Sequence, residues 1–104
     1  MKYGLSERTI AEICMVLAQY PAVERAVLYG SRAKGNYKPG SDIDLTLFGV
    51  GLTPGLCATI ADALEDLLLP YTIDLSVFAE LKHPELEAHI QRIGVVFFER
   101  ENRG

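Results

Sequence analysis

Two short segments that alternate strictly between apolar and polar residues constrain this chain more than any other feature. In DIDLTLF (42–48), Ile43, Leu45 and Leu47 fall on one side, with Asp42, Asp44, Thr46 and Phe48 on the other. In TIDLSVF (72–78), Ile73, Leu75 and Val77 oppose Thr72, Asp74 and Ser76. A period of two is the signature of a strand with one face buried and one face open. Each strand therefore sends its aliphatic set into a core and places an aspartate on a polar face.

The remaining segments supply what those strands pack against. Ser6 caps a helix over about residues 6–19, with Ile10, Ile13, Cys14 and Leu17 on one stripe and Pro21 beyond its end. Val23 to Tyr29 is rich in β-formers and stops at Gly30, so it reads as a strand. The glycine-rich stretch 30–41 is a loop with room for one helical turn after Ser31. Thr53 and Pro54 open a second long helix whose stripe runs from Leu56 to Leu68, ending before Pro70. Pro84 begins a short helix stopped by Gly94, Val95 to Phe98 forms a last strand, and the tail ERENRG is expected to fray. The order α-β-loop-β-α-β-α-β predicts one α/β (α+β) domain over residues 1–104. Its mixed sheet has about four strands, with helices mainly on one face.

Composition removes several classes of function. A chain of 104 residues, 49% hydrophobic and 23% charged, suits an ordinary globular domain. No apolar run approaches the ~20 residues that span a bilayer, and MKYGLSERT has no signal-peptide pattern, so a cytoplasmic location away from membranes is expected. The net charge of −4 disfavours binding to long nucleic acids, whose affinity comes mainly from phosphate neutralisation. Cys14 and Cys57 lie in apolar helical patterns and read as buried thiols. His83 and His89 stand at no zinc spacing with them.

Asp42 and Asp44, two apart on a strand, have Cα atoms roughly 6–7 Å apart. Ionised carboxylates so placed repel, and a divalent cation offsets that repulsion. A D-x-D pair by itself equally describes a solvated strand face. Asp74 on a second strand brings a third carboxylate to the same face if the strands are neighbours. Such a cluster suits two metal ions about 3.5–4 Å apart, which clamp the entering and leaving oxygens of an in-line displacement. Asp74 could also take the proton of the attacking hydroxyl. Gly30-Ser31 directly after a strand can bring main-chain N–H groups and a hydroxyl to a phosphate. Arg32 and Lys34 could add positive charge against a triphosphate. Taken singly, each of these is also what an ordinary turn or solvated surface provides. The spacing Gly-Ser, ten residues, Asp-x-Asp arises by chance in roughly one chain per thousand of this length.

The stretch LYGSRAKGNYKPGSDIDLTLF (28–48) resembles the G-S-x₁₀-D-x-D signature of the DNA polymerase β-like nucleotidyltransferases. In size and layout the whole chain resembles the stand-alone minimal (MNT) branch, antitoxins that accompany HEPN ribonuclease toxins. By position, the resemblance implies that Gly30 and Ser31 hold the nucleotide's phosphates. It further implies that Asp42 and Asp44 bind metals, with Asp74 as the third catalytic carboxylate. The implied cofactor is Mg²⁺, two ions, with ATP as substrate. The superfamily's usual base-binding and acceptor-binding domains have no counterpart here, so the acceptor must bring its own docking surface. The resemblance makes that acceptor a tyrosine of a HEPN toxin, which receives AMP and is neutralised. A binding-only antitoxin and a small-molecule nucleotidyltransferase of the aminoglycoside-modifying type are the alternatives.

Overall fold

The computed structural model describes residues 1–101. Helix α1 spans Glu7–Ala18, capped by the Ser6 hydroxyl, which accepts from the Thr9 N–H. Strand β1 is Arg25–Tyr29, and Gly30 then starts a single turn of helix, α2, over Ser31–Lys34. Strand β2 is Ile43–Phe48 and helix α3 is Pro54–Glu65, with Thr53 accepting from the Leu56 N–H at its cap. Strand β3 is Ile73–Val77, followed by a 3₁₀ turn at Phe78–Glu80. Helix α4 spans Pro84–Ile93 and strand β4 Val95–Glu99.

The four strands form one mixed sheet in the order β3-β2-β1-β4, with β2 and β3 parallel and the other pairs antiparallel. The alternation expected from sequence decides the layers. Leu28, Ile43, Leu45, Leu47 and Val77 join Ile13, Leu17, Ile60 and Leu64 from α1 and α3 in the main core. The other face is not wholly open. Helix α4 lays Ile90 against Val27 and Tyr29, with Phe48 and Phe78 stacked beside them at 4.7 Å between ring centroids. This second, smaller cluster covers the β1 side of the polar face and leaves Asp44 of β2 half-buried and Asp74 of β3 exposed.

Two boundaries differ from expectation. Helix α3 ends at Glu65 although its apolar stripe continues, because Leu68 takes a left-handed conformation (φ 55°) and turns outward. The tail is also held further than expected. The Arg100 N–H donates to the Glu24 carbonyl, and its guanidinium donates to the carbonyls of Val23, Tyr20 and Ala18. These bonds fasten the chain end to the turn after α1, where the carbonyls lack helical partners. The last part of the expected frayed tail, residues 102–104, lies outside the described residues.

Both thiols are free and half-buried, and each leans on a strand carbonyl: Cys14 on Phe97 and Cys57 on Leu75. No helix among the described residues is long and apolar enough to cross a membrane.

Candidate active site

The sheet register brings two separately encoded aspartates together. In the parallel β2–β3 pair, Asp44 stands opposite Asp74, so their Cα atoms are about 4.8 Å apart. In the antiparallel β1–β2 pair, Asp44 stands opposite Tyr29, the last residue before Gly30. Three strands therefore meet at Asp44, and the Gly-Ser turn leaves the sheet from the same point. Asp42 lies two residues upstream, exposed, at the mouth of β2.

Gly30 is required there for two reasons. Its φ of 74° and ψ of −157° form a combination essentially restricted to glycine. Any Cβ at this position would also collide with the Asp44 carboxylate. The turn thus passes directly over the carboxylate, and the first N–H groups of α2, which have no intrahelical acceptor, open beside it. Ser31 is the first residue of α2, half-buried, and Lys34 lies exposed one turn on.

The electrostatics of the cluster are uncompensated. Burial pushes the Asp44 carboxyl above the ordinary carboxylate range, and the charges of Asp74 and Asp42 push it further. Among the described residues no Lys or Arg is ion-paired with any of the three aspartates. Below them lies a hydroxyl pair, in which Ser76 donates to Thr46 at 3.0 Å. Burial raises the Tyr29 phenol, the nearby Ser76 hydroxyl opposes that rise, and the charges of Asp74 and Asp44 add to it. Tyr29 was not singled out by sequence reasoning, since only the strand register shows that it faces Asp44. Thr46 and Ser76 were visible as the polar members of the alternating strands.

The donor set suits a hard divalent cation: carboxylate oxygens, no thiol or imidazole, and like charges that need a counter-charge. Among the described residues, no three Asp, Glu, His or Cys side chains converge as a finished metal cage. Mg²⁺ does not need one, because it is commonly held by one or two carboxylates with water and substrate phosphate completing its octahedron.

Arg32 takes a different place from the one expected. It is 2% exposed, and its guanidinium donates to the carbonyls of Tyr3, Pro39 and Ser41. It is flanked by the Tyr37 and Tyr71 rings, at 5.3 and 4.9 Å. The fork that would meet a triphosphate is instead bracing the loop that delivers Asp42. Three carbonyls from two distant segments converge there, and a planar five-donor group satisfies them together. Arg32→Met is therefore expected to lower stability by about 3 kcal/mol in urea unfolding, because it leaves these carbonyls unpaired. Arg32→Lys is expected to recover less than half of that, since an ammonium lacks the fork. Full stability in Arg32→Met would show that water replaces the guanidinium at no penalty.

Comparison with known proteins places the chain in a family. Residues 11–103 match the family described as polymerase beta nucleotidyltransferase. No curated protein matches the chain. Among solved structures, a crystal structure of a toxin–antitoxin with AMP-PNP superposes with a TM-score of 0.69 at 20% identity, over 93% of this chain and 76% of that one. The Shewanella oneidensis complex of tri-AMPylated HEPN toxin with MNT antitoxin gives 0.69 at 17% identity, over 92% and 74%. The MntA–HepT toxin–antitoxin structure gives 0.67 at 18%, over 91% and 74%. At such identities the likeness is one of fold. The family match covers most of the chain, including Gly30-Ser31, Asp42-x-Asp44 and Asp74: this chain belongs to the polymerase β nucleotidyltransferase family.

Proposed function

We propose that this chain is an antitoxin nucleotidyltransferase of the cytoplasm. It would move AMP from ATP to a tyrosine hydroxyl of a partner HEPN-type ribonuclease and thereby silence it. The observation that carries the reading is the meeting of Asp44, Asp74 and the Gly30 turn at one point of the sheet. Chains of the same fold occur in structures that hold AMP-PNP or a tri-AMPylated HEPN toxin.

Each residue then has a task. The main-chain N–H groups after Gly30 and the Ser31 hydroxyl bind phosphate oxygens, and the exposed Lys34 lies one turn away to meet the outer phosphates. Asp42, Asp44 and Asp74 would hold the Mg²⁺ ions, which when bound neutralise the triphosphate and the developing charge of the in-line displacement. The acceptor oxygen forms its bond to the α-phosphorus, the bond from that phosphorus to the bridging oxygen breaks, and pyrophosphate leaves. The hydroxyl proton passes to the Asp74 carboxylate, which is exposed on the side from which an acceptor can approach. An added phosphate diester gives the ribonuclease bulk and negative charge where RNA phosphates must bind.

The test is to incubate the chain with labelled ATP, Mg²⁺ and a basic, all-helical partner carrying an Arg-x₄₋₆-His motif. Label should appear on a partner tyrosine and vanish with the Asp42→Asn/Asp44→Asn double variant. If that variant still neutralises the partner in full and no label is ever transferred, the protein acts by binding alone.

A further inference from the structure

Asp74 sits on an edge strand. β3 has β2 on one side and, among the described residues, no strand on the other. Because the Ile43 N–H donates to the Thr72 carbonyl, Thr72, Asp74 and Ser76 turn their main-chain groups toward β2. Ile73 and Leu75 therefore turn theirs outward, and among the described residues the Leu75 carbonyl meets only the Cys57 thiol, at 3.9 Å. Such an edge is a template for an added strand.

Beside it runs an apolar seam. A groove of about 340 Å³ lies between Cys57, Ala58 and Ala61 of α3 and Leu75 and Val77 of β3, with Glu80 at its end. A second hollow of about 360 Å³ continues past Ile73 toward Glu65 and Leu68, whose side chain is 88% exposed. The charged residues that line the two hollows, Glu80 and Glu65, are both acidic. Residues 39–81 hold seven Asp and Glu residues and no Lys, Arg or His. Two copies of this chain would bring like charges together along that edge, whereas a basic segment would be attracted to it.

We infer that the open edge of β3 receives an extended, basic segment of the acceptor protein and sets a hydroxyl side chain opposite Asp74. This rests on the reading of Asp74 as part of a nucleotidyl-transfer site. Residues paired across neighbouring strands share a face, with Cβ atoms about 4.5–5.5 Å apart. A side chain opposite Asp74 is thus delivered to the polar face beside the carboxylates. Its two neighbours in the segment point to the other face and enter the apolar seam. The recognised pattern is apolar, hydroxyl, apolar, with Lys or Arg beyond on both sides.

The probe is a nonapeptide of alternating lysine and valine with a central tyrosine, compared with the same peptide carrying glutamate for lysine. With the lysine peptide, amide exchange at Ile73 and Leu75 should slow roughly tenfold or more, and with ATP and Mg²⁺ the tyrosine should take up label. The glutamate peptide should do neither. Ala58→Arg, an exposed helical position that fills the seam with the wrong charge, should weaken lysine-peptide binding by roughly tenfold or more while ATP affinity stays unchanged. Equal protection by both peptides, or unchanged peptide affinity in Ala58→Arg, overturns the inference. So does protection of β3 that grows with the chain's own concentration, which assigns the edge to a second copy. Docking without label strikes the transfer reading alone, and label without β3 protection strikes the docking alone.

Discussion

Asp44→Asn should lower nucleotidyl transfer by about 1,000-fold or more while leaving the fold intact or more stable. The catalytic loss follows from its position: Asp44 faces Asp74 across β2–β3, faces Tyr29 across β1–β2, and lies under the Gly30 turn. An amide there keeps the shape but removes the charge that holds a divalent cation and, through it, the triphosphate. The stability gain follows from the raised Asp44 carboxyl, which burial, Asp74 and Asp42 all push upward. A folded-state pKa above the unfolded value means that the native state binds the proton more tightly. That contribution is fully present below the ordinary Asp range and is lost as pH rises through the raised value. At neutral pH without metal, ionised Asp44 is therefore a liability that asparagine removes. Urea unfolding should show the Asp44→Asn variant ahead of wild type at neutral pH, with the gap closing on acidification and reversing when Mg²⁺ and nucleotide are added. A variant that is both inactive and less stable at neutral pH would mean that the carboxylate is held by native contacts and not strained by its neighbours.

The same residue shows what a sequence reveals and what it withholds. Alternation in 42–48 and 72–78 assigned every side chain to a face, because in a strand the face depends only on the parity of the position. Whether Asp44 and Asp74 are neighbours depends on strand order and register, which are set by packing across the whole sheet. The family motif bridged that gap from outside, since Gly-Ser and Asp-x-Asp at one spacing carry a known arrangement with them. Tyr29 had no such motif, and its place opposite Asp44 emerged only from the register.

Arg32 went astray for a different reason. Next to a phosphate-type turn, a basic side chain is naturally assigned to the ligand, yet α2 is a single turn and its second residue points back into the protein. The carbonyls of Tyr3, Pro39 and Ser41 that claim the guanidinium come from two segments far apart in the chain, so local spacing cannot announce them. The placement of α4 was likewise obscure. Its stripe of Leu86, Ile90 and Ile93 predicts a buried face without saying which side of the sheet receives it. It packs over Val27 and Tyr29 because those residues give the polar face of β1 an apolar half.

Gly30→Ala carries the second large expected effect, a loss of transfer by about 100-fold or more with a stability loss of about 2–3 kcal/mol. Two causes act together, and they can be separated. The first is conformational: at φ 74° and ψ −157° an alanine is strained whatever surrounds it. The second is steric: the new methyl group meets the Asp44 carboxylate, so the turn must lift or Asp44 must swing away. Either movement separates the phosphate-binding N–H groups from the carboxylates and spoils a geometry whose tolerance is a fraction of an ångström. In an Asp44→Ala background the methyl group finds space, and only the conformational strain remains. Gly30→Ala should then be less destabilising than in the parent chain, by about 1 kcal/mol or more of coupling. Stability of the four chains in the cycle, measured by urea unfolding without metal, gives that coupling directly. Additive effects would place the whole penalty in the backbone and remove close packing on Asp44 from the reasons for glycine at this turn.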